Sequence, residues 1–430
     1  MPDSQVAFDS TKTGVRIALF AAIATCVAFA FFGVRWQLGS MLAEQTPPGD
    51  PNLSEIAEVA RNFAPADSRA RGLAAVAANR EFDPDRIDVS TALFGQAVRL
   101  SPNDFRWWVE YGRSLEQAGR AGDAESALET AIQFAPNYAQ PRWQLGNFYL
   151  RQGRTDEAFR ELSRATSNNA TYREQVFALV WDYSGNDPGT LEQTVSSDPE
   201  IHADLALFYM SRGWPADALR LWRSIPDERK PGFQKIAKTM ADLSTHSGAL
   251  REGLEFANGA GFDLNARPEE ISNPGFESML GDKDETYFGW KVDRGDSRAE
   301  FTPDSYVKHS DTRSLRIVFK NYDRPVFSSL WQNVAAQPNT KYSLSFWVRT
   351  ETLRSGGPPQ IEVADASANK VLAVSTAFPL GTNTWTQITL EFSTPDKSDG
   401  IYVRSSRSYC GETCPIVGTV WLDDFKLTKL

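Results

Sequence analysis

Histidine, cysteine and excess positive charge are all scarce in this chain, and each shortage closes off a class of function. Its 430 residues include only 3 His and 3 Cys. His202, His246 and His309 lie far apart, so no histidine cluster has metal-ligand spacing. No nucleophile elbow and no glycine-rich phosphate loop occurs. A glycosidase needs two carboxylates facing each other across a scissile bond, at roughly 5–9.5 Å. The adjacent Asp423 and Asp424 would point to opposite faces of a strand. The sequence therefore predicts a protein that is not an enzyme. A formal charge of −10 denies it the basic surface that a phosphate backbone requires, which predicts no nucleic-acid partner.

What the chain does contain begins with IALFAAIATCVAFAFFGV, residues Ile17–Val34, 18 positions without a charged side chain. A helix crossing a bilayer needs about 20 mostly apolar residues. Arg16, Arg35 and Trp36 flank the run as interfacial anchors. A cleaved signal peptide and a buried soluble helix are the other readings. Ala28-Phe29-Ala30 has the small-x-small form of a cleavage site, but the apolar run continues through Phe31, Phe32 and Val34. Lys12 and Arg16 precede the run, whereas Arg35 is the only base before Arg61, among Glu44, Asp50, Glu55 and Glu58. The bias predicts a cytoplasmic tail over 1–16, a single-pass inner-membrane anchor over 17–36, and exported, periplasmic domains beyond it. Residues 37–53, rich in Pro, Gly and polar side chains, predict a tether. In an exported domain, Cys410 and Cys414 of CGETC read most simply as a small-loop disulfide. A zinc half-site lacks nearby histidines, and a redox centre would prefer two intervening residues.

Beyond residue 53 the periodicity is helical, and the chain repeats itself at 34 residues. Trp108, Tyr111, Gly112, Leu115, Ala124, Leu128, Ala131 and Pro136 are followed by Leu145, Gly146, Tyr149, Ala158, Leu162 and Ala165. A weaker copy, Phe94, Ala97 and Pro102, precedes them, and Ala206, Tyr209 and Ala218 echo them after a shortened interval. The small residues let paired helices approach, and the aromatic ones fill space between pairs. This pattern resembles the tetratricopeptide repeat. The resemblance implies an all-α solenoid over 54–262 whose concave surface holds a protein partner.

From residue 268 to 430 the alternation has period two, as in YSLSFWVRT, QIEVADA, WTQITLEFS and GIYVRSS. This predicts an all-β antiparallel sandwich, making the chain multidomain. ISNPGFE, then Trp290, HSDTRSLRI, WQNVAAQPNTKYSLSFWVR, WTQITLEF and a terminal WLDDFKL occur in order. Together they resemble the jelly-roll carbohydrate-binding modules of families 4 and 9. Asp311 replaces a residue that is often small there, and CGETC is an insertion.

Asp423 shares strand parity with Trp421, Phe425 and Leu427, so if these face the core it is an inward carboxylate that requires a partner. The resembling modules supply one, a structural calcium. Carried over, this implies Asp423 and Glu277 as ligands, with main-chain oxygen near Asp311. The other reading is a solvated Glu277 and an Asp423 satisfied by backbone amides. For a glycan, the face carrying Trp347 and Arg349 offers an aromatic platform beside a planar donor. Tyr402, Arg404 and Glu362 alternate in the same way. Trp331 joins them if Leu330 and Val334 face the core, which a bulge would reverse. Coverage of Trp347 by a loop or by the helical domain is the competing reading. The combination points to an anchored scaffold that places an envelope or exopolysaccharide assembly component near its polymer; the alternative is a purely protein-binding scaffold with no sugar site.

Overall fold

The computed structural model describes residues 13–79, 84–167, 169–278, 280, 286–411 and 414–430, so most of the tail expected over 1–16 lies outside the described residues. The apolar run forms the middle of helix α1 (Thr13–Gln45), 33 residues long or about 50 Å. It is long and apolar enough to cross a membrane, and none of its most apolar stretch is buried against protein. Over 37–53, where composition predicts a tether, α1 instead continues to Gln45 and packs on α2 (Leu53–Phe63). Gly39 is the reason. A Cβ there would lie 2.8 Å from both the Ala60 carbonyl oxygen and Phe63 Cβ. The residue that reads as a loop former is a close-approach residue. Arg35 seals the contact, donating to the Asn62 carbonyl at 2.7 Å and lying 5.4 Å over the Phe63 ring.

The chain forms two compact units, 1–196 and 197–430. In the first, α3 (Ser68–Asn79), α4 (Pro84–Leu100), α5 (Phe105–Gln117), α6 (Ala121–Phe134), α7 (Ala139–Arg151) and α8 (Thr155–Thr166) form successive packed pairs. They are followed by α9 (Ala170–Tyr183) and the short α10 (Pro188–Thr194). The 34-residue repeat is visible as a repeated contact. A Cβ on Gly112 would meet Leu128 Cγ at 2.8 Å and the Ala124 carbonyl at 3.2 Å; one on Gly146 would meet Leu162 Cγ and the Ala158 carbonyl at those same distances. Between pairs, Tyr149 donates to Glu125 at 3.0 Å while Arg154 covers its ring at 4.3 Å and also bonds Glu125.

The second unit opens with α11 (Pro199–Ser211), α12 (Pro215–Ser224), α13 (Gln234–Ser247) and α14 (Leu250–Gly259). Among the described residues ten strands follow: β1 (Lys291–Val292), β2 (Ala299–Asp304), β3 (Ser314–Tyr322), β4 (Leu330–Ala335), β5 (Lys341–Arg354), β6 (Pro359–Asp365), β7 (Val371–Val374), β8 (Gly381–Ser393), β9 (Gly400–Arg407) and β10 (Ile416–Lys429). They make two five-stranded antiparallel sheets, β1-β4-β9-β6-β7 and β2-β3-β10-β5-β8. Alternating residues such as Leu315, Ile317, Leu344, Phe346, Ile361, Val363, Ile401 and Val403 interdigitate between the sheets. Trp290 closes one end of this core, 5.3 Å from Phe276 and 4.9 Å from Phe425.

The change from helix to strand thus falls inside one compact unit, and the two parts are tightly joined. Leu250 of α14 fills the place where Gly400 lacks a Cβ: that atom would stand 2.7 Å from Leu250 Cδ1. Arg251 donates to Asp399 at 2.8 Å, and Tyr287 Oη donates to Asp242 of α13 at 2.6 Å. Asp263, just past α14, accepts from the amides of Tyr287 and Phe288 at 2.6 and 2.9 Å.

The repeated glycine contact makes opposite predictions for two glycines. Gly146→Ala should force Leu162 aside and cost about 1–3 kcal/mol. Gly122→Ala, in α6 with nothing within 4 Å of the added methyl, should be neutral or stabilise by about 0.5–1 kcal/mol. Urea unfolding followed by far-ultraviolet circular dichroism measures both.

Candidate functional site

The outer face of the β1-β4-β9-β6-β7 sheet carries most of the candidate chemistry. In β4, Leu330 and Val334 enter the core, which turns Trp331 and Asn333 outward. The register then aligns Lys291, Trp331, Arg404 and Glu362 as direct partners across four neighbouring strands, and directly opposed residues share a face. Tyr402 stands in the next row, opposite Asn333. Arg404 is held in place rather than loose: Nε donates to Glu362 Oε1, and Nη1 donates to Asn369 Oδ1 at 2.9 Å. Asn333 Nδ2 donates to the Tyr287 carbonyl at 2.9 Å. Burial pushes the Tyr402 phenol above its ordinary value, so it stays protonated and able to donate. Above this row lies a cleft of about 720 Å³, whose sheet-side lining includes Lys291, Asp293, Trp331, Asn333, Tyr402 and Arg404. That volume falls within the range of small-ligand sites.

Four of the six residues expected to face a glycan, Trp331, Tyr402, Arg404 and Glu362, are therefore brought together. Trp347 and Arg349 belong to β5, on the opposite sheet, and do not join them. Two-residue alternation reports which face of its own strand a residue takes, but not which sheet the strand enters. Trp347 is also covered. The imidazole of His309 stacks on its ring with centroids 3.9 Å apart, and His309 meets Trp385 edge-on at 5.7 Å. Arg349 and Arg316 flank the indole of Trp421 at 5.7 and 6.0 Å, while Trp421 Nε1 donates to Asp304 at 2.9 Å. Sequence reasoning missed Lys291 and Asp293 because β1 is two residues long, too short to show a period. Asn333 was legible only through the parity of Trp331.

The acidic pair in β10 departs from simple alternation. Pairing with β5 slips by one residue between Asp423 and Lys426, and Asp424 has φ 49°, which marks a bulge. Before it, Val420 and Leu422 face the core; after it, Phe425 does. Trp421 and Asp423 therefore lie on the outer side of the sheet. Asp423 is fully buried, not in the core but under the loop 309–313. Asp423 and Asp424, expected to point apart, both face that loop. Asp423 Oδ2 accepts from the His309 amide at 2.8 Å, while Asp424 accepts from Ser310 Oγ and His309 Nδ1, both at 2.6 Å. Glu277 accepts from the amides of Thr312 and Arg313, both at 3.1 Å. Asp311 sits exposed in this loop with φ 44°.

These carboxylates converge. The point where Gly275 lacks a Cβ is 3.3 Å from Asp423 Oδ1, 3.4 Å from Glu277 Oε1 and 3.8 Å from Asp424 Oδ1. Burial, with the Asp424 charge adding to it, pushes the Asp423 carboxyl up to about 6 against the lowering effect of its amide donors. Among the described residues no group of three His, Cys, Asp or Glu side chains is arranged to hold a metal ion, so a cation here would need main-chain oxygens beside these carboxylates. Cys410 and Cys414 form a disulfide with Cα atoms 6.0 Å apart. Arg407 donates to the Cys414 carbonyl at 2.6 Å and ties the loop to β9.

Residues 115–180 match the tetratricopeptide repeat family model. No curated protein matches the chain in sequence. Among solved structures, a family 4 carbohydrate-binding module is similar at 17% identity and TM-score 0.28, over 37% of this chain and 99% of that one. TmCBM61 in complex with β-1,4-galactotriose is similar at 19% identity and TM-score 0.26, over 38% and 100%. MamA AMB-1 is similar at 19% identity and TM-score 0.26, over 32% and 78%. The chain thus carries a helical segment that matches the tetratricopeptide repeat over 115–180, followed after further helices by a two-sheet antiparallel β-sandwich.

Proposed function

We propose that this chain is a membrane-anchored, non-catalytic scaffold whose helical repeats hold a protein partner and whose sandwich holds a glycan, in polysaccharide or envelope assembly or export. The observation that carries the glycan half is the outward row Lys291, Trp331, Arg404 and Glu362 with Tyr402 beside it. An indole face stacks on the apolar face of a sugar ring. Arg404, its plane set by Glu362, hydrogen-bonds hydroxyl or carboxylate oxygens. The protein half draws on the tetratricopeptide match and on the curved surfaces that such arrays build. A purely protein-binding scaffold is the second reading, supported by the His309 ring stacked on Trp347.

A glycan array probed with the full chain in detergent separates these readings. Binding at a Kd of about 10 μM to 1 mM is expected. Trp331→Ala should abolish it while the fold is retained with only a modest drop in melting temperature, because the ring is half-buried and outside the core. Silence across the array would favour the protein-only scaffold.

In this reading α1 is retained as a single-pass anchor through Ile17–Val34, with a cytoplasmic N-terminus and the remainder periplasmic. A reporter fused after Leu430 should be active only in the exported compartment, and the protein should resist carbonate extraction. A soluble chain beginning near Phe31 would show a cleaved signal instead.

Asp423 and Glu277, with main-chain oxygen from the loop that carries Asp311, would hold a structural calcium beside Gly275. A cation there would offset the repulsion between Asp423 and Asp424. Chelation should lower the melting temperature of the full chain, because a ligand of the folded state alone stabilises it by mass action. Asp423→Asn should remove the response to chelator. Identical melting curves with and without chelator, for protein purified in calcium, would refute the metal.

A further inference from the structure

One wall of the cleft over Trp331 does not come from the sandwich. Thr245 and His246, in the last turn of α13, line it together with the turn residues 366–369 that follow β6. Their placement is set by backbone contact. Helix α13 ends at Gly248 with φ 80°, so close to β6 that a Cβ would sit 2.5 Å from the Ala366 carbonyl oxygen. The same helix is pinned through Asp242, which accepts from Tyr287 Oη at 2.6 Å. The Tyr287 carbonyl in turn accepts from Asn333 on the cleft floor at 2.9 Å. Wall and floor are thus linked by a short chain of hydrogen bonds.

The wall also has a chemistry that complements the floor. His246 Nδ1 lies 2.6 Å from the Asp242 carbonyl oxygen. A carbonyl oxygen only accepts, so Nδ1 bears the proton and Nε2 of the neutral ring is an acceptor. The His246 side chain is exposed, with no part in the core. Thr245 Oγ1 donates to the Ala241 carbonyl at 2.9 Å, which leaves its oxygen as an acceptor. Arg404 on the floor is donor-only. A saccharide hydroxyl is both donor and acceptor and can be matched from the two sides.

We propose that the glycan site is shared between the helical array and the sandwich, with Thr245 and His246 as hydroxyl-recognising residues that decide which saccharide is accepted. The proposal rests on the glycan reading of the cleft. A shared site also braces α13 against the sandwich when it is filled.

The test uses the full chain in detergent with a defined panel of hexasaccharides: β-1,4- and β-1,3-linked glucose, β-1,4-linked xylose and galactose, and α-1,4-linked galacturonate. His246→Ala should weaken the best-bound member roughly tenfold, about the worth of one hydrogen bond, or reorder the panel. The melting temperature should not move. Thr245→Val should act in the same direction. If Trp331→Ala abolishes binding while His246→Ala and Thr245→Val keep both affinity and ranking, the floor alone is the site and the shared site is overturned, with the glycan reading intact. If the unaltered chain binds no member of the panel, the glycan reading falls and the shared site falls with it.

Discussion

The arrangement of the second unit depends on two close approaches between helix and sheet, at Gly248 and Gly400. Neither place has room for a Cβ: one would collide with the Ala366 carbonyl, the other with the Val334 carbonyl and Leu250. Because both positions are glycine, α13 and α14 seat directly on the strand ends of one sheet. The polar contacts at Arg251–Asp399 and Tyr287–Asp242 then fix the seating. The last helical pair is consequently part of the β-sandwich unit rather than a flexible lead into it, and the cleft over Trp331 acquires a helical wall.

A second constraint acts on the opposite sheet. The bulge at Asp424 reverses the parity of β10 halfway along, so that core positions are even before it and odd after it. This reversal leaves Trp421 and Asp423 outside, where the segment 304–313 covers them. His309 connects the two features of that cover, stacking on Trp347 while its main chain bonds Asp423. The aromatic residues of this sheet serve to hold a loop over a carboxylate. The open aromatic surface belongs to the other sheet.

The helical part follows a simpler rule. Its pairs are spaced by glycine and alanine contacts that recur at 34 residues, and its polar links, such as Arg154–Glu125 and Arg151–Glu116, run between successive pairs. Within each unit the pairs touch mainly their neighbours, so stability there accumulates from pair to pair.

Much of this was determined by sequence alone, because it depends on local period. The apolar run of α1, the 34-residue helical repeat and the two-residue alternation of the long strands are each legible without a partner. The close spacing of Cys410 and Cys414 is likewise a local fact. Assigning Trp331, Tyr402, Arg404 and Glu362 to one surface and Trp347 to another required tertiary structure, because strand order is set by packing between segments distant in the chain. The parity of Asp423 required it as well, since the bulge carries no periodic signal. So did the reach of α1 past its apolar run, where Gly39 becomes a contact only in the presence of Ala60 and Phe63, and the helical wall of the cleft, which joins residues about 85 positions apart through glycines whose missing Cβ has meaning only against another backbone.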